Sequence, residues 1–110
     1  MLPTRRMRVF ACKVPTDMRS SFDGLYKKTK SIIGLDPKSG HMFLFLNKNR
    51  NRVKVLYHDG TGYVILAKRL DRGRFSQFNP YFRKDIILTQ AEFSLFFEGA
   101  KINKRFIESP

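Results

Sequence analysis

Residues 41–69, HMFLFLNKNRNRVKVLYHDGTGYVILAKR, carry the clearest structural pattern in this chain of 110 residues. Three runs, 41–46, 52–58 and 63–69, are rich in β-branched, aromatic and aliphatic residues. The loops between them, NKNRN and DGTG, favour the positive backbone angles of tight hairpins. The stretch therefore predicts three consecutive antiparallel strands in a meander.

The middle run alternates in polarity. Val53, Val55 and Tyr57 point to one face of the predicted sheet. Lys54, Leu56 and His58 point to the other face and are more polar on average. We therefore expect one face to pack on helices and the other to be partly exposed to water.

The segments before the meander predict a strand and a helix. Residues 8–14 favour a short strand that Pro15 ends, because proline cannot continue a ladder. Thr16 or Ser20 is suited to cap the following helix, and Gly34 is suited to end it. The apolar stripe of this helix consists of Met18, Phe22, Leu25, Ile32 and Ile33.

The segments after the meander predict an irregular excursion and a second helix. Residues 70–85 have no regular period. Thr89 and Glu92 have the spacing of a capping box, and Gly99 is placed to end the helix. Its apolar stripe consists of Phe93, Phe96 and Phe97.

Together these elements predict a small single α+β domain, in which an antiparallel meander sheet of three to four strands packs against two main helices. The domain is expected to span residues 8–100, between a flexible N-terminus, 1–7, and a basic tail, 101–110. The apolar content, 42% with eleven Phe, is enough to fold a chain of this size.

The charge predicts an anionic partner. The chain has 22 Lys and Arg against 9 Asp and Glu, a formal net charge of +13. A particle this positive repels itself unless an anion offsets it. Nucleic acid is the first expectation, ahead of an anionic membrane or an acidic protein.

Cysteine, histidine and carboxylate usage argues against several classes of site. Cys12 has no second cysteine for a disulfide, and with His41 and His58 it is too little for structural zinc. The acidic residues are scattered, so we expect no metal site, no cofactor and no catalysis. No apolar run reaches the ~20 residues of a membrane helix. A reducing bacterial cytoplasm is the expected location, with nucleoid association if the partner is DNA.

The meander gathers two basic runs at one end of the sheet. The loop before Arg52 and the segment after Lys68 emerge at the same end, because strand direction alternates. Adjacent strands lie less than about 5 Å apart, within the roughly 8 Å screening length at physiological salt. Only Asp71 offsets these charges locally. The predicted nucleic-acid-binding residues are Lys48, Arg50, Arg52, Lys68, Arg69, Arg72 and Arg74.

Neighbouring polar and aromatic residues extend this hypothesis. Asn47, Asn49 and Asn51 are candidate hydrogen-bond partners for phosphate. Four aromatic residues just past the basic run either belong to the core or stack on unpaired bases: Phe75, Phe78, Tyr81 and Phe82. The alternative for the whole tip is that its cations only keep a sheet edge from aggregating.

Three motifs carry a family resemblance: VPTDMRSSFDGL, LDPKSGHMFLFLNKNRNRVKVLYHDGTGYVILAKRLDRGRF and LTQAEFSLFFEG. In this order they resemble the TnpB-type accessory protein, the product of the second open reading frame, of the IS-sixty-six family of bacterial insertion sequences. The likeness covers about residues 8–100. It implies a small protein that assists transposition beside a separate, larger transposase. The family usually has Trp where this chain has His58, and Trp-Pro soon after RGRF, where this chain has residues 78–80.

Two functions follow as expectations. The preferred one is a non-catalytic accessory factor that binds DNA at or near transposon ends through its basic surface. The alternative is an adaptor that docks the transposase or another element-encoded protein through its helix faces or through the aromatic residues of 75–82. The sequence leaves the oligomeric state, and the choice of DNA or RNA, open.

Overall fold

The computed structural model describes residues 7–77 and 86–99, which form five strands and two helices. The expected N-terminal segment, apart from Met7, and the expected tail lie outside the described residues, and the domain limits stay a prediction. The elements are β1 (Val9–Ala11), α1 (Phe22–Lys28) with a π-helical continuation (Thr29–Ile33), β2 (Met42–Leu46), β3 (Arg52–His58), β4 (Tyr63–Arg69), β5 (Ile86–Leu88) and α2 (Gln90–Phe97).

The predicted meander is present. Strands β2, β3 and β4 pair antiparallel in sequence order, and Val55 of β3 lies opposite Leu44 of β2 and Leu66 of β4. Alternating patterning and two short turns were sufficient to specify this part, because each pairing involves neighbours along the chain.

The predicted sheet was wrong in its size and in its connections. The described residues form a mixed sheet of five strands, in the order β4-β3-β2-β1-β5. Strand β1 runs parallel to β2, with Phe10 opposite Phe43, because the chain crosses from one to the other through α1. Strand β5 pairs antiparallel with β1. It lies directly before Thr89, the N-cap residue of α2. The expected strand 8–14 is also shorter, since it ends at Ala11.

Helices pack on both faces of the sheet and not on one only, as we had expected. The face that carries Lys54 and His58 is nevertheless partly exposed, as predicted. On one face, Leu25 of α1 and Ile33 pack with Phe43, Phe45 and Leu56. On the other face, α2 packs over a cluster of strand residues that includes Val9, Leu44, Val55 and Leu88. The cause is visible in β2, which has a paired strand on each side and is buried at every position.

The helix ends follow the sequence in three of four cases. Gly34 ends the first helix with φ +82°, and Gly99 follows the second with φ +83°, as expected. The capping box is formed: Thr89 Oγ1 accepts from Glu92 N at 3.2 Å, and Glu92 Oε1 accepts from Thr89 N at 2.8 Å. The cap of α1 was wrong, because Ser21 holds that position and forms no side-chain capping bond. Neither helix is long and apolar enough to span a membrane.

Candidate functional site

The tip between β2 and β3 is closed by the side chain of Asn47. Its Oδ1 accepts hydrogen bonds from the backbone N of Asn51 and of Arg52, each at 3.0 Å. Its Nδ2 donates to Asn51 Oδ1 at 2.7 Å. The amides of Asn47 and Asn51, which we expected to meet phosphate, are therefore used to build the loop. Asn49 is exposed at its apex.

Two backbone hydrogen bonds hold the loop after β4 against this tip. Leu70 N donates to Asn51 O at 2.8 Å, and Phe75 N donates to Arg50 O at 2.6 Å. Arg50 has φ +56°, in the left-handed region that suits a tight turn. The backbone thus places the two basic runs at the same end of the sheet. Their role in binding nucleic acid stays a prediction.

Arg52 and Arg69 lie directly opposite each other on β3 and β4. Directly opposed residues of an antiparallel pair share a face of the sheet. Here it is the α1 face, because Val53, the next residue after Arg52, packs on the α2 face and successive side chains alternate. Both arginines are exposed. Like charges in this position repel, so the fold gains nothing from the pair unless an anion lies between or above them.

Two of the seven predicted binding residues contact the protein's own backbone. Arg50 Nη1 donates to Phe75 O at 3.0 Å and so fixes the loop after β4. Lys68 points to the α2 face, where its Nζ donates to Phe97 O at 2.7 Å and lies 5.3 Å from the centroid of the Phe97 ring. A cation at the last carbonyls of a helix is stabilising. These two cations therefore have structural roles.

The other five predicted residues are exposed, and their side chains form no hydrogen bond or ion pair with any residue of 7–77 or 86–99. Asp71, also exposed, is the carboxylate next to them in sequence. This group of five, called the basic rim below, consists of Lys48, Arg52, Arg69, Arg72 and Arg74.

Sequence reasoning missed Arg19, which lies beside the rim. A shallow groove of about 360 Å³ has Arg19, Lys48 and Arg52 in its walls. Thr16 N donates to Leu46 O at 2.8 Å, which attaches the segment before α1 to the end of β2. Arg19 is paired with Asp17 at 2.6 Å, and its hydrogen bonds lower the pKa of Asp17 to about 2. The only sequence signal was a polar Asp-x-Arg turn, which does not say where the turn lies.

Lys54 is a further cation on the face that carries Arg52 and Arg69. Its Nζ donates to Ser20 O at 2.7 Å, just before α1. A cleft of about 160 Å³ has Lys54, Arg52 and Arg69 among its lining residues. Lys54 therefore adds positive potential beside the rim while it anchors the start of the helix.

The aromatic residues divide between the core and the part of the chain that the structure leaves undescribed. Phe75 is 1% exposed and stacks on Phe96, with ring centroids 5.1 Å apart, so its core interpretation is confirmed. Phe78, Tyr81 and Phe82 lie outside the described residues. His58 stands where the resemblance led us to expect Trp. It is the last residue of β3, whereas Arg52 is the first, so the two lie at different ends of the strand. The Trp replaced by His58 would therefore not lie at the rim.

Known proteins show where this chain belongs. Residues 7–106 match the family described as IS66 Orf2 like protein. The chain belongs to this family. This membership confirms the resemblance and the context of insertion sequences and transposition. Within 7–77 and 86–99 no three His, Cys, Asp or Glu side chains are grouped as a metal site requires.

Two relatives come from Sinorhizobium fredii. The chain is 38% identical to the uncharacterized protein y4hO over 76 residues, which are 68% of this chain and 66%, just under two thirds, of that relative. It is 29% identical to the uncharacterized protein y4jC over 111 aligned positions, covering 98% of this chain and 94% of the relative. No solved structure matches the chain significantly.

Proposed function

We propose that this insertion-sequence accessory protein binds DNA through the basic rim, gripping backbone phosphates at or near the ends of the element. The observation that carries the proposal is the opposed pair Arg52 and Arg69, exposed on one face without a carboxylate partner among the described residues. Such an arrangement costs free energy in the isolated fold, and a phosphate oxygen between the two guanidinium groups reverses the sign of that cost.

Rigid placement favours the same function. The tip is locked by Asn47, and the loop after β4 is locked by Arg50 and by the buried ring of Phe75. Cations on a fixed frame lose less conformational entropy on binding than cations on a mobile tail. The rim contacts expected here are with phosphates, so they set position and orientation and carry no base sequence themselves.

The test is a titration of a short transposon-end duplex and a scrambled duplex of the same length. In the triple variant Lys48→Gln, Arg52→Gln, Arg69→Gln, we expect affinity for both duplexes to fall by roughly a hundredfold or more, since hydrogen bonds to charged groups are each worth about 1.5–3 kcal/mol. The thermal midpoint should stay the same or rise, because a repulsive pair is removed.

The matched control neutralises three exposed lysines on and just after the first helix: Lys27→Gln, Lys30→Gln, Lys38→Gln. It removes the same charge, so a loss of affinity equal to that of the rim variant would show a general charge effect and refute the rim as the site. In the wild type, equal affinities for the two duplexes would mean that the protein contacts only the DNA backbone. A higher affinity for the transposon-end duplex would mean that it also reads bases.

A second candidate function, an adaptor for the transposase, is favoured by apolar side chains on the outside of the first helix. Phe22 and Tyr26, one turn apart, are 47% and 37% exposed, and Ile32 is 42% exposed. Capture of the transposase from nuclease-treated extract by the wild type, and its loss in the variant Phe22→Ser, Ile32→Ser, would support it. Capture that persists in that variant would exclude this face.

A further inference from the structure

A second, less polar recess lies next to the basic rim. It has a volume of about 290 Å³ and is formed where the end of β2, the segment after β1 and the start of β5 meet. Val14, Pro15, Leu46 and Ile86 are its apolar lining residues. A volume close to the lower limit of small-ligand pockets, roughly 300 Å³, suits one planar ring system and not a folded partner. This recess is called the apolar cleft below.

The edge of the apolar cleft is cationic. Lys13, Lys48 and Arg50 belong to its lining, as does Gln77. Asn47 lines it too, but its amide is already bound to Asn51 and to the backbone N of Arg52. Arg50 already donates one Nη to Phe75 O, which holds its guanidinium at the cleft in a fixed orientation. An apolar recess with cations around it and the amide of Gln77 beside it has the composition that recognises a base joined to phosphates.

The apolar cleft and the shallow groove beside Arg19 share a wall. Pro15, Asn47 and Lys48 line both. Lys48 therefore stands between a polar groove that contains Arg52 and a recess that is largely apolar. A strand whose phosphate met Lys48 could place its backbone in the groove and its base in the cleft, without any change in the fold.

We propose that the apolar cleft binds one unpaired nucleotide, so that the protein prefers nucleic acid with a bulged, frayed or single-stranded position over a continuous duplex. This inference rests on the proposed function and deepens it, since the phosphates on either side of the unpaired base are held by the rim. A paired base is not available to the cleft, because its ring is stacked inside the helix.

The probe is an oligonucleotide with a single 2-aminopurine, whose emission reports the stacking of that base. The chain has no Trp, so protein emission does not interfere. Three forms are compared at one salt concentration: the base paired in a duplex, the same base as a one-nucleotide bulge, and the single strand. DNA and RNA versions of the bulge and of the strand show which source of unpaired nucleotide is preferred.

We expect at least roughly tenfold tighter binding of the bulged and single-stranded probes than of the paired duplex, because a paired base must first be unstacked at a cost of a few kcal/mol. The 2-aminopurine emission should change only for the unpaired forms. Val14→Glu places a carboxylate at the cleft and should abolish both the preference and the emission change. Val14 is 46% exposed, so the substitution is tolerated by the fold, which a thermal melt checks.

Two controls isolate the cleft. Val14→Gln has the same shape without the charge and should keep more of the preference than Val14→Glu. Leu95→Glu adds the same charge at a residue of nearly the same exposure, 47%, on α2, and should leave the preference unchanged.

Equal affinity for paired and bulged probes with tight duplex binding would overturn the cleft assignment and leave the DNA-binding proposal standing. A preference that survives Val14→Glu would overturn the assignment as well. Failure to bind any of the three probes would overturn both proposals.

Discussion

The two ends of the β2-β3-β4 part of the sheet use their polar side chains in different ways. At the β3–β4 turn, Asp59 Oδ1 accepts hydrogen bonds from Thr61 N, Thr61 Oγ1 and Gly62 N at 2.9 to 3.0 Å. At the opposite end, Asn47 closes the loop, and Arg52 and Arg69 are left facing each other. The charged side chain of the β3–β4 turn has hydrogen-bond partners within the turn. At the other end, the cations of the basic rim have no such partners among the described residues.

This difference is the reason why we propose binding at the end of the sheet that carries Arg52 and Arg69. A polar atom that builds a turn is occupied, whereas a charge that the fold does not use remains available to a ligand. Residue type does not separate the two cases, because Arg50 and Arg52 are two positions apart in one basic run and only Arg50 has a partner among the described residues. The contacts of each side chain decide its role.

The largest effect is expected from removing the anchor of the basic end. Phe75→Ala deletes a ring that is 1% exposed and stacked on Phe96, and it should lower the free energy of unfolding by about 3–5 kcal/mol. Denaturant unfolding measures the loss. DNA affinity, measured under conditions where the variant is still folded, should also fall, because the loop with Arg72 and Arg74 is no longer held. A loss under 1 kcal/mol would show that Phe75 does not anchor this end.

A sharper comparison substitutes the loop-closing residue of each end. Asn47→Ala removes the acceptor for two backbone N–H groups and should cost about 1–3 kcal/mol of stability. It should also weaken DNA binding, because the hydrogen bond from Arg52 N to Asn47 fixes the position of Arg52 at the start of β3. Asp59→Ala opens the other turn and should leave DNA affinity unchanged. Equal effects of the two substitutions on affinity would remove the distinction between the ends.

The sequence was sufficient for the meander and the second helix, where the pattern is local. It predicted a strand within 8–14, but not its parallel place beside β2, which depends on the crossover through α1. It did not predict β5, which is three residues long and too short to show a period. At the site, the gathering of the two basic runs followed from strand alternation. The separate fates of Arg50 and Lys68 depend on carbonyls 25 and 29 residues away, which no local pattern specifies.

A smaller effect is expected at the turn end, where one hydroxyl is buried. Tyr63 Oη has no hydrogen-bond partner among the described residues, and the ring lies edge-on to His58 and Tyr26. Tyr63→Phe keeps the ring contacts and removes an unsatisfied polar atom, so it should be neutral or raise stability by up to about 1 kcal/mol. A thermal melt that shows clear destabilisation would mean that the hydroxyl has a partner in solution.

The smallest effect is the pH dependence of the same turn. Hydrogen bonds from Thr61, and then from Gly62, hold the pKa of Asp59 well below its usual value. A depressed pKa contributes stability that is complete above roughly pH 4 and is lost as the pH falls toward the folded-state pKa. The difference in thermal midpoint between wild type and Asp59→Asn should therefore narrow from pH 7 to pH 3. A constant difference would contradict this sign.

The most direct test of the account is the salt dependence of duplex binding by wild type and by the Lys48→Gln, Arg52→Gln, Arg69→Gln variant. Each lost phosphate contact should lower the slope of log affinity against log salt by about 0.9, so the two slopes should differ by about 2.7. The control with Lys27, Lys30 and Lys38 replaced should keep the wild-type slope. Identical slopes for the wild type and the rim variant would show that these cations do not meet phosphate, and would contradict the central claim.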